Sequence, residues 1–243
     1  MRYLILSDLH ANLHATDAVL RDATTVGFDA VLVLGDLVGY GADPAAVIDR
    51  VMELAPAVMI RGNHDKVAAG LASAQLFNDA ARISIEWTTA ELDAARLATL
   101  AALPMGPRLV TPDLEICHGT PFDEDAYIFG DVEASRAADN AGARICLFGH
   151  THVPAFFASA DDPIIEGERV DEFRLPERGP ALLNVGAVGQ PRDRDPRAAY
   201  GVIDLDRGTL LVKRIAYDVA GAQRRILDEG LPAWLAARLE RGE

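Results

Sequence analysis

The placement of the histidines constrains this chain more than any other feature. There are six: His10, His14, His64, His118, His150 and His152. Five of them stand in short polar motifs at the ends of apolar runs, namely Asp8-Leu9-His10, Gly62-Asn63-His64-Asp65, His118-Gly119 and Gly149-His150-Thr151-His152. A further motif without histidine, Gly35-Asp36, follows the apolar run 31–34 in the same way. In α/β sheets, sites gather in the crevice beyond the carboxyl ends of the strands. Side chains two apart on an extended backbone share a direction. Asp8 and His10 are therefore expected to reach one ion together, and His150 and His152 to face one centre. Glycines beside such residues let backbone and ligand come close.

The order of elements agrees with that layout. Tyr3 to Leu6, Val31 to Leu34 and Val58 to Ile60 are compact apolar runs suited to buried strands. Between them, Asn12 to Thr25 has helical spacing, and Asp43-Pro44 opens a second helix with Asp as cap and Pro at the first position. This βαβαβ rhythm predicts an α/β sheet that starts with parallel strands. Residues 66–103 change character, rich in Ala, Leu and Glu without Pro until 104, and predict a helical insertion of two or three helices. Strands are then expected at 109–110, 114–117, 145–148, 155–158, 182–185, 199–205 and 210–215, with a helix from Asp131 to Ala141 capped by Asp131. Residues 218–243 close the chain in helical, amphipathic pattern. No Gly/Ser-rich linker divides residues 1–243, so one domain is expected.

The donor set is carboxylate, imidazole and amide, with no thiolate. That favours divalent Mn, Fe, Zn, Ni or Co over a structural zinc knot. A lone histidine or a lone Gly-Asp is weak evidence, since either suits an ordinary core or turn. Gly62-Asn63-His64-Asp65 and Gly149-His150-Thr151-His152 are stronger, because each stacks several polar groups directly after an apolar strand. His10-Ala11-Asn12-Leu13-His14 has zincin spacing, but Ala11 stands where that motif needs Glu, so His14 is read as a surface residue. No Gly-x-Ser-x-Gly elbow, P-loop or dinucleotide fingerprint is present.

Charge narrows the substrate. Lys plus Arg number 23 and Asp plus Glu 37, a net charge of −14. Nucleic-acid binding normally rests on a basic footprint, so a small phosphorylated substrate is expected rather than duplex nucleic acid. Cys117 and Cys146 sit in apolar runs and are read as buried free thiols of a reducing compartment. The N-terminal apolar run is too short for a signal peptide, and no run of about 18 apolar residues suggests a membrane span. The cytoplasm is the expected location; the oligomeric state is left open.

The motif order resembles that of the calcineurin-like metallophosphoesterases, from Ser7 to about Asp195. Within them the chain looks like the bacterial and archaeal phosphodiesterase-type branch, relatives of diadenosine tetraphosphatases. Asn184-Val185-Gly186-Ala187-Val188-Gly189 is similar to that branch's Asn-Pro-Gly-Ser-Val-Gly segment, with Val185 and Ala187 replacing Pro and Ser. The resemblance implies a four-layer α-β-β-α sandwich of two mixed sheets. It implies two divalent cations, manganese favoured, one on Asp8, His10 and His152, the other on Asn63, His118 and His150, with Asp36 shared. His64 would sit beside the substrate, with Asp65 orienting its ring. A metal-bridging hydroxide would attack phosphorus in line, and His64 would stabilise the departing charge or protonate the leaving oxygen. Asn12 and Arg192 are candidate substrate contacts, Tyr40 and Arg61 lie nearby in sequence, and Phe77, Asn78 and Trp87 shade the site or simply pack the insertion. The expected activity is hydrolysis of small phosphodiesters or phosphomonoesters, diesters preferred. The alternatives are a protein phosphatase or nuclease on the same site, or a catalytically idle scaffold for protein interaction.

Overall fold

The structure, a computed structural model, describes residues 1–158 and 172–243. Its first part runs β1 (Arg2–Leu6), α1 (Leu13–Val26), β2 (Ala30–Val33), α2 (Pro44–Glu53) and β3 (Val58–Met59). Three helices follow, α3 (Asn63–Ala68), α4 (Asp79–Glu91) and α5 (Ala94–Ala102), with a 3-10 turn at Ala74–Leu76. Then come β4 (Arg108–Thr111), β5 (Leu114–Ile116), α6 (Asp131–Asn140), β6 (Ile145–Leu147) and β7 (Ala155–Ala158). The last part holds β8 (Glu172–Arg174), β9 (Ala181–Asn184), β10 (Ala198–Asp204), β11 (Thr209–Ile215), α7 (Val219–Asp228) and α8 (Ala233–Arg241). Among the described residues, no helix is long and apolar enough to cross a membrane.

Two mixed sheets lie face to face. One has the order β3-β2-β1-β10-β11-β8, the other β4-β5-β6-β9-β7. β1, β2 and β3 are parallel, as are β5, β6 and β9, so each sheet has a parallel block whose carboxyl ends share an edge. The pleat of β1 shows how the layers form. Tyr3 and Ile5 point between the sheets, into a core with Leu32, Ile60, Ile116, Leu147 and Ile203. Leu4 and Leu6 point the other way, onto Val19 of α1 and Val47 and Val51 of α2. On the far side, Ala134 and Ala137 of α6 cover Cys117, Cys146 and Phe148. Helices, sheet, sheet and helix make four layers.

Three local expectations need correction. The helix after β3 begins at Asn63, not beyond Asp65, so the Asn63-His64-Asp65 motif forms a first helical turn. The physical reason is a cap: Asp65 accepts the Gly62 N–H at 3.0 Å, which satisfies an otherwise unpaired donor. Asp131 is the first residue of α6 rather than its cap, which is Gly130; its charge still suits the positive helix end. The edge strand β8 is not among the expected strands, since Glu172-Phe173-Arg174 alternates over only 3 residues, yet its Phe173 stacks on Phe156 of the opposite sheet at 4.2 Å.

Burial of β1 on both faces has a direct test. Leu4→Ala and Ile5→Ala should each cost about 2–5 kcal/mol in urea unfolding. A loss below about 1 kcal/mol at either would mean that face is not packed.

Candidate metal centre

Five loops at the carboxyl ends of the parallel strands meet at one place. Asp8 and His10 follow β1, Asp36 follows β2, Asn63 and His64 follow β3, His118 follows β5, and His150 and His152 follow β6. The loops are laced together by main-chain bonds: Asp8 N–H to the Gly35 carbonyl at 3.1 Å, His10 N–H to Asp36 at 2.9 Å and Gly189 N–H to Asp8 at 2.9 Å. The backbone is not extended here as expected. Asp8, His10, Asp36, His150 and His152 have φ of 54°, 47°, 53°, 65° and 60°. Asp and His are among the few side chains that tolerate this left-handed region, at a cost of about 1–2 kcal/mol per residue. So the paired side chains converge because tight turns aim them, not because a strand alternates.

Four imidazoles are each held by one ring nitrogen on a main-chain carbonyl. His10 Nδ1 donates to Val38 at 2.9 Å, His118 Nδ1 to Leu34 at 2.8 Å, and His152 Nδ1 to Gln190 at 2.6 Å. His150 uses Nε2, on the Asp125 carbonyl at 3.1 Å. A carbonyl only accepts, so each of these nitrogens carries the proton, and the opposite nitrogen keeps a lone pair for a cation. Those lone pairs converge with carboxylates into two groups that share Asp36: Asp8, His10, Asp36 and His152, then Asp36, His118 and His150. Asp36 Oδ2 is 3.5 Å from His10 Nε2 and 3.4 Å from His118 Nε2. His10 and His152 face each other through Nε2 at 3.1 Å, and Asn63 Oδ1 is 3.2 Å from His118 Nε2. Two acceptor nitrogens at that distance repel unless a proton or a cation lies with them. The donors therefore fit divalent ions of the N/O-binding kind.

Burial without a cation distorts every titration in the cluster. Asp8 is pushed up to about 6 by burial, helped by the Asp36 charge and opposed by His118. Burial also presses Asp36 up, but the His118 and His64 charges outweigh it and hold Asp36 well below the usual carboxylate range. Burial lowers His10 and His152 far below normal and takes His150 to about 3. His118 goes the other way, to about 10, because the Asp36 and Asp8 charges overcome its burial. Without a cation, His118 thus carries a second proton on Nε2 beside the ionised Asp36, and a cation would displace it to free that lone pair.

The surrounding residues sort into holders and cleft walls. Gly62 lies so close that any Cβ would collide with the Asp36 carboxylate. The His64 N–H donates to Asp36 Oδ1 at 2.9 Å, from the first turn of α3. Asn184 donates to the Gly149 carbonyl at 2.9 Å and the Thr151 hydroxyl at 3.0 Å, fixing the loop that carries His150 and His152. Sequence reasoning noticed the Asn184 segment only as a resemblance; its bonds give it a task. Asp65 does not orient His64 as expected. Its oxygens accept the N–H groups of Leu37 at 2.9 Å, Val38 at 3.3 Å and Gly62 at 3.0 Å. The His64 ring is instead held by aromatic contacts, 4.5 Å from Tyr40 and 4.6 Å from Phe77. Its Nδ1 has no partner and lies over Gly39, where a Cβ would strike the ring.

Asn12 is also corrected. Its oxygen caps α1 on Ala15 N–H at 3.1 Å, and its amide donates to the Gly189 carbonyl at 2.8 Å and the Tyr217 hydroxyl at 3.3 Å. Both amide hydrogens are thus taken, and none is left to donate to a phosphate oxygen. Arg61 is bound through two nitrogens to Glu124 at 3.1 and 3.0 Å. Trp87 packs with the C-terminal helices and Tyr40, and His14 sits 4.0 Å from Asp218 at the surface. Arg192 does reach the site. It lines a cleft of about 620 Å³ with Asp36, Tyr40, Asn63, His64, Phe77, Asn78 and Tyr127, and its Nε has no partner. Nothing in the spacing of residues 119–130 marked Tyr127 or the Asp125 carbonyl.

The role of Asp65 can be separated from catalysis. Asp65→Asn would set an amide N–H against one of its three main-chain donors. The metal-free protein should lose about 1–3 kcal/mol of stability. Unchanged thermal unfolding of that variant would return Asp65 to the substrate side.

Comparison with known proteins agrees with this geometry. Residues 1–208 match the calcineurin-like phosphoesterase superfamily domain. An uncharacterised protein of Methanocaldococcus jannaschii is 32% identical over 239 residues, covering 97% of this chain and 96% of its own. The phosphodiesterase YfcE of Escherichia coli is 25% identical over 216 residues, 85% of this chain and 89% of the relative. The crystal structure of a metallophosphoesterase from Sphaerobacter thermophilus superposes over all of both chains with a TM-score of 0.86 at 37% identity. With a family match over residues 1–208 and its acidic and imidazole groups gathered at the strand ends, the chain belongs to the calcineurin-like phosphoesterase superfamily.

Proposed function

We propose that this protein hydrolyses small phosphodiesters, in preference to monoesters, using two divalent cations with manganese favoured. The observation that carries this reading is the set of four imidazoles whose protons are committed to main-chain carbonyls, leaving lone pairs in two groups joined by Asp36. One cation would take Asp8, His10 and His152; the other would take Asn63, His118 and His150; Asp36 would serve both. Bound there, divalent ions supply Lewis acidity toward a phosphoryl oxygen and lower the pKa of a water.

The remaining work falls to the chain's own side chains. Arg192 stands in the cleft with an unsatisfied Nε and a charge felt at Asp8, His10, His64 and His152. It would bind a non-bridging phosphate oxygen by a charge-assisted hydrogen bond. His64 presents its ring to the same cleft. Burial takes it down to about 4 despite the Asp36 charge. An arriving phosphate would raise it, so that Nε2 can hold a proton for the leaving oxygen. The open cleft leaves room for substituents on both sides of phosphorus, and the E. coli relative is a phosphodiesterase, which favours diesters. The acidic surface favours small molecules over duplexes.

The test is hydrolysis of bis-p-nitrophenyl phosphate with and without Mn²⁺. Wild-type turnover should require the metal. His64→Ala should retain its metal while kcat falls about 10²–10⁴-fold, and Arg192→Ala should mainly raise KM. Absence of turnover with any divalent ion would instead favour a binding scaffold, and full turnover by His64→Ala would remove that residue from the chemistry.

A further inference from the structure

Three rings run outward from the candidate metal centre in one stack. Tyr127 lies on the His150 ring with centroids 3.9 Å apart and planes within 17°. Phe129 lies on Tyr127 at 5.0 Å and 12°. The stack is open to solvent: Tyr127 is 41% exposed and Phe129 70%. Exposing adjoining aromatic rings has a hydration cost, and the loop is nonetheless fixed in this shape. Thr120 N–H bonds the Asp123 carbonyl at 2.9 Å. Glu124 is clamped by Arg61 and Lys66, both at 3.0 Å, and Asp125 by Lys66 at 2.6 Å. The same loop presents the Asp125 carbonyl to His150. Across the cleft, the 3-10 turn offers Leu76, 98% exposed, beside Phe77.

We propose that Tyr127 and Phe129 are specificity-determining residues that select phosphoesters bearing a planar aromatic group, a nucleobase or an aryl ring. The proposal rests on the phosphoesterase reading above and assigns its substrate class. With the phosphate beside Arg192 and the cations, a substituent leaving the centre past His150 meets the open rim of Tyr127 and then the outer face of Phe129, where the stack ends. Near-parallel planes reward a flat π-surface, which continues the stack with offset geometry. A glycerol headgroup gains little there, because it has no flat face to lay on the rings. Such stacking is tolerant of which base is present, since every base has a π-face.

The experiment compares two phosphomonoesters of equal charge on the Mn²⁺-loaded protein by calorimetry, adenosine 5′-monophosphate and glycerol 3-phosphate. Wild type should bind the nucleotide on the order of tenfold more tightly. Tyr127→Leu and Phe129→Leu should each carry that ratio toward one, and Tyr127→Phe should keep it. Phe129 is largely exposed, so its variant separates stacking from any folding defect at Tyr127. Equal affinities in the wild type, or a preference that survives both leucine changes, would overturn the proposal. So would octyl phosphate binding as tightly as the nucleotide, because the shelf would then be merely apolar. Selective binding without Mn²⁺-dependent hydrolysis of any ester would defeat the phosphoesterase reading alone; hydrolysis without selectivity would defeat this one alone. Failure of both ligands to bind would overturn the selectivity proposal, and Mn²⁺-dependent hydrolysis would decide the phosphoesterase reading separately.

Discussion

Asp36 is fully buried between two imidazoles, and the surrounding loops are arranged to hold it there. Burying a carboxylate is costly, several kcal/mol even after relaxation, unless charge and hydrogen bonds compensate it. Asp36 receives the His64 N–H, the neighbourhood of His10 and His118, and a glycine wall at Gly62 that leaves it no room to move. Asp8 repeats the pattern less completely, with Ser7 Oγ at 2.6 Å and the His150 N–H at 3.2 Å. The imidazoles cannot neutralise both acids with their own protons, because burial strips His10, His150 and His152 of charge. The arrangement is satisfied when cations provide the positive charge.

That requirement explains the backbone. Five donors sit at positive φ, a conformation the rest of the fold must enforce. Enforcement comes from cross-loop bonds that continue the sheet beyond its last residues, from Asn184 on the His150 loop, and from Asp65 on the turn after β2. The two sheets supply rigidity through a shared core behind the site, and α1, α2 and α5 brace the first sheet from outside. Strain is thus concentrated at the cluster and sustained by packing away from it.

Much of this was legible in the sequence, for identifiable reasons. Buried strands such as Tyr3 to Leu6 announce themselves as compact apolar runs, and a polar residue directly after such a strand is conspicuous. The donors Asp8, His10, Asp36, His118, His150 and His152 were found that way, and the structure brings them together. The errors concern side chains whose role depends on a partner distant in sequence. Asp65 looked like an orienter of its neighbour His64, but its hydrogen bonds go to residues 37 and 38, about a helix away in the chain. Asn12 looked free, but Gly189 and Tyr217 consume its amide. Tyr127 left no trace, because a ring on an irregular loop has no period to betray it. The Asn63 motif was placed on a loop because Gly62 hides a helix start that only the Asp65 cap makes stable.

The central claim is that one buried aspartate organises two cation sites. Diffraction from crystals soaked in Mn²⁺, measured at the manganese absorption edge, tests it most directly. Two anomalous peaks should appear, one among Asp8, His10 and His152 and one among Asn63, His118 and His150, with Asp36 in contact with both. A single peak, or two peaks of which only one touches Asp36, would contradict the account.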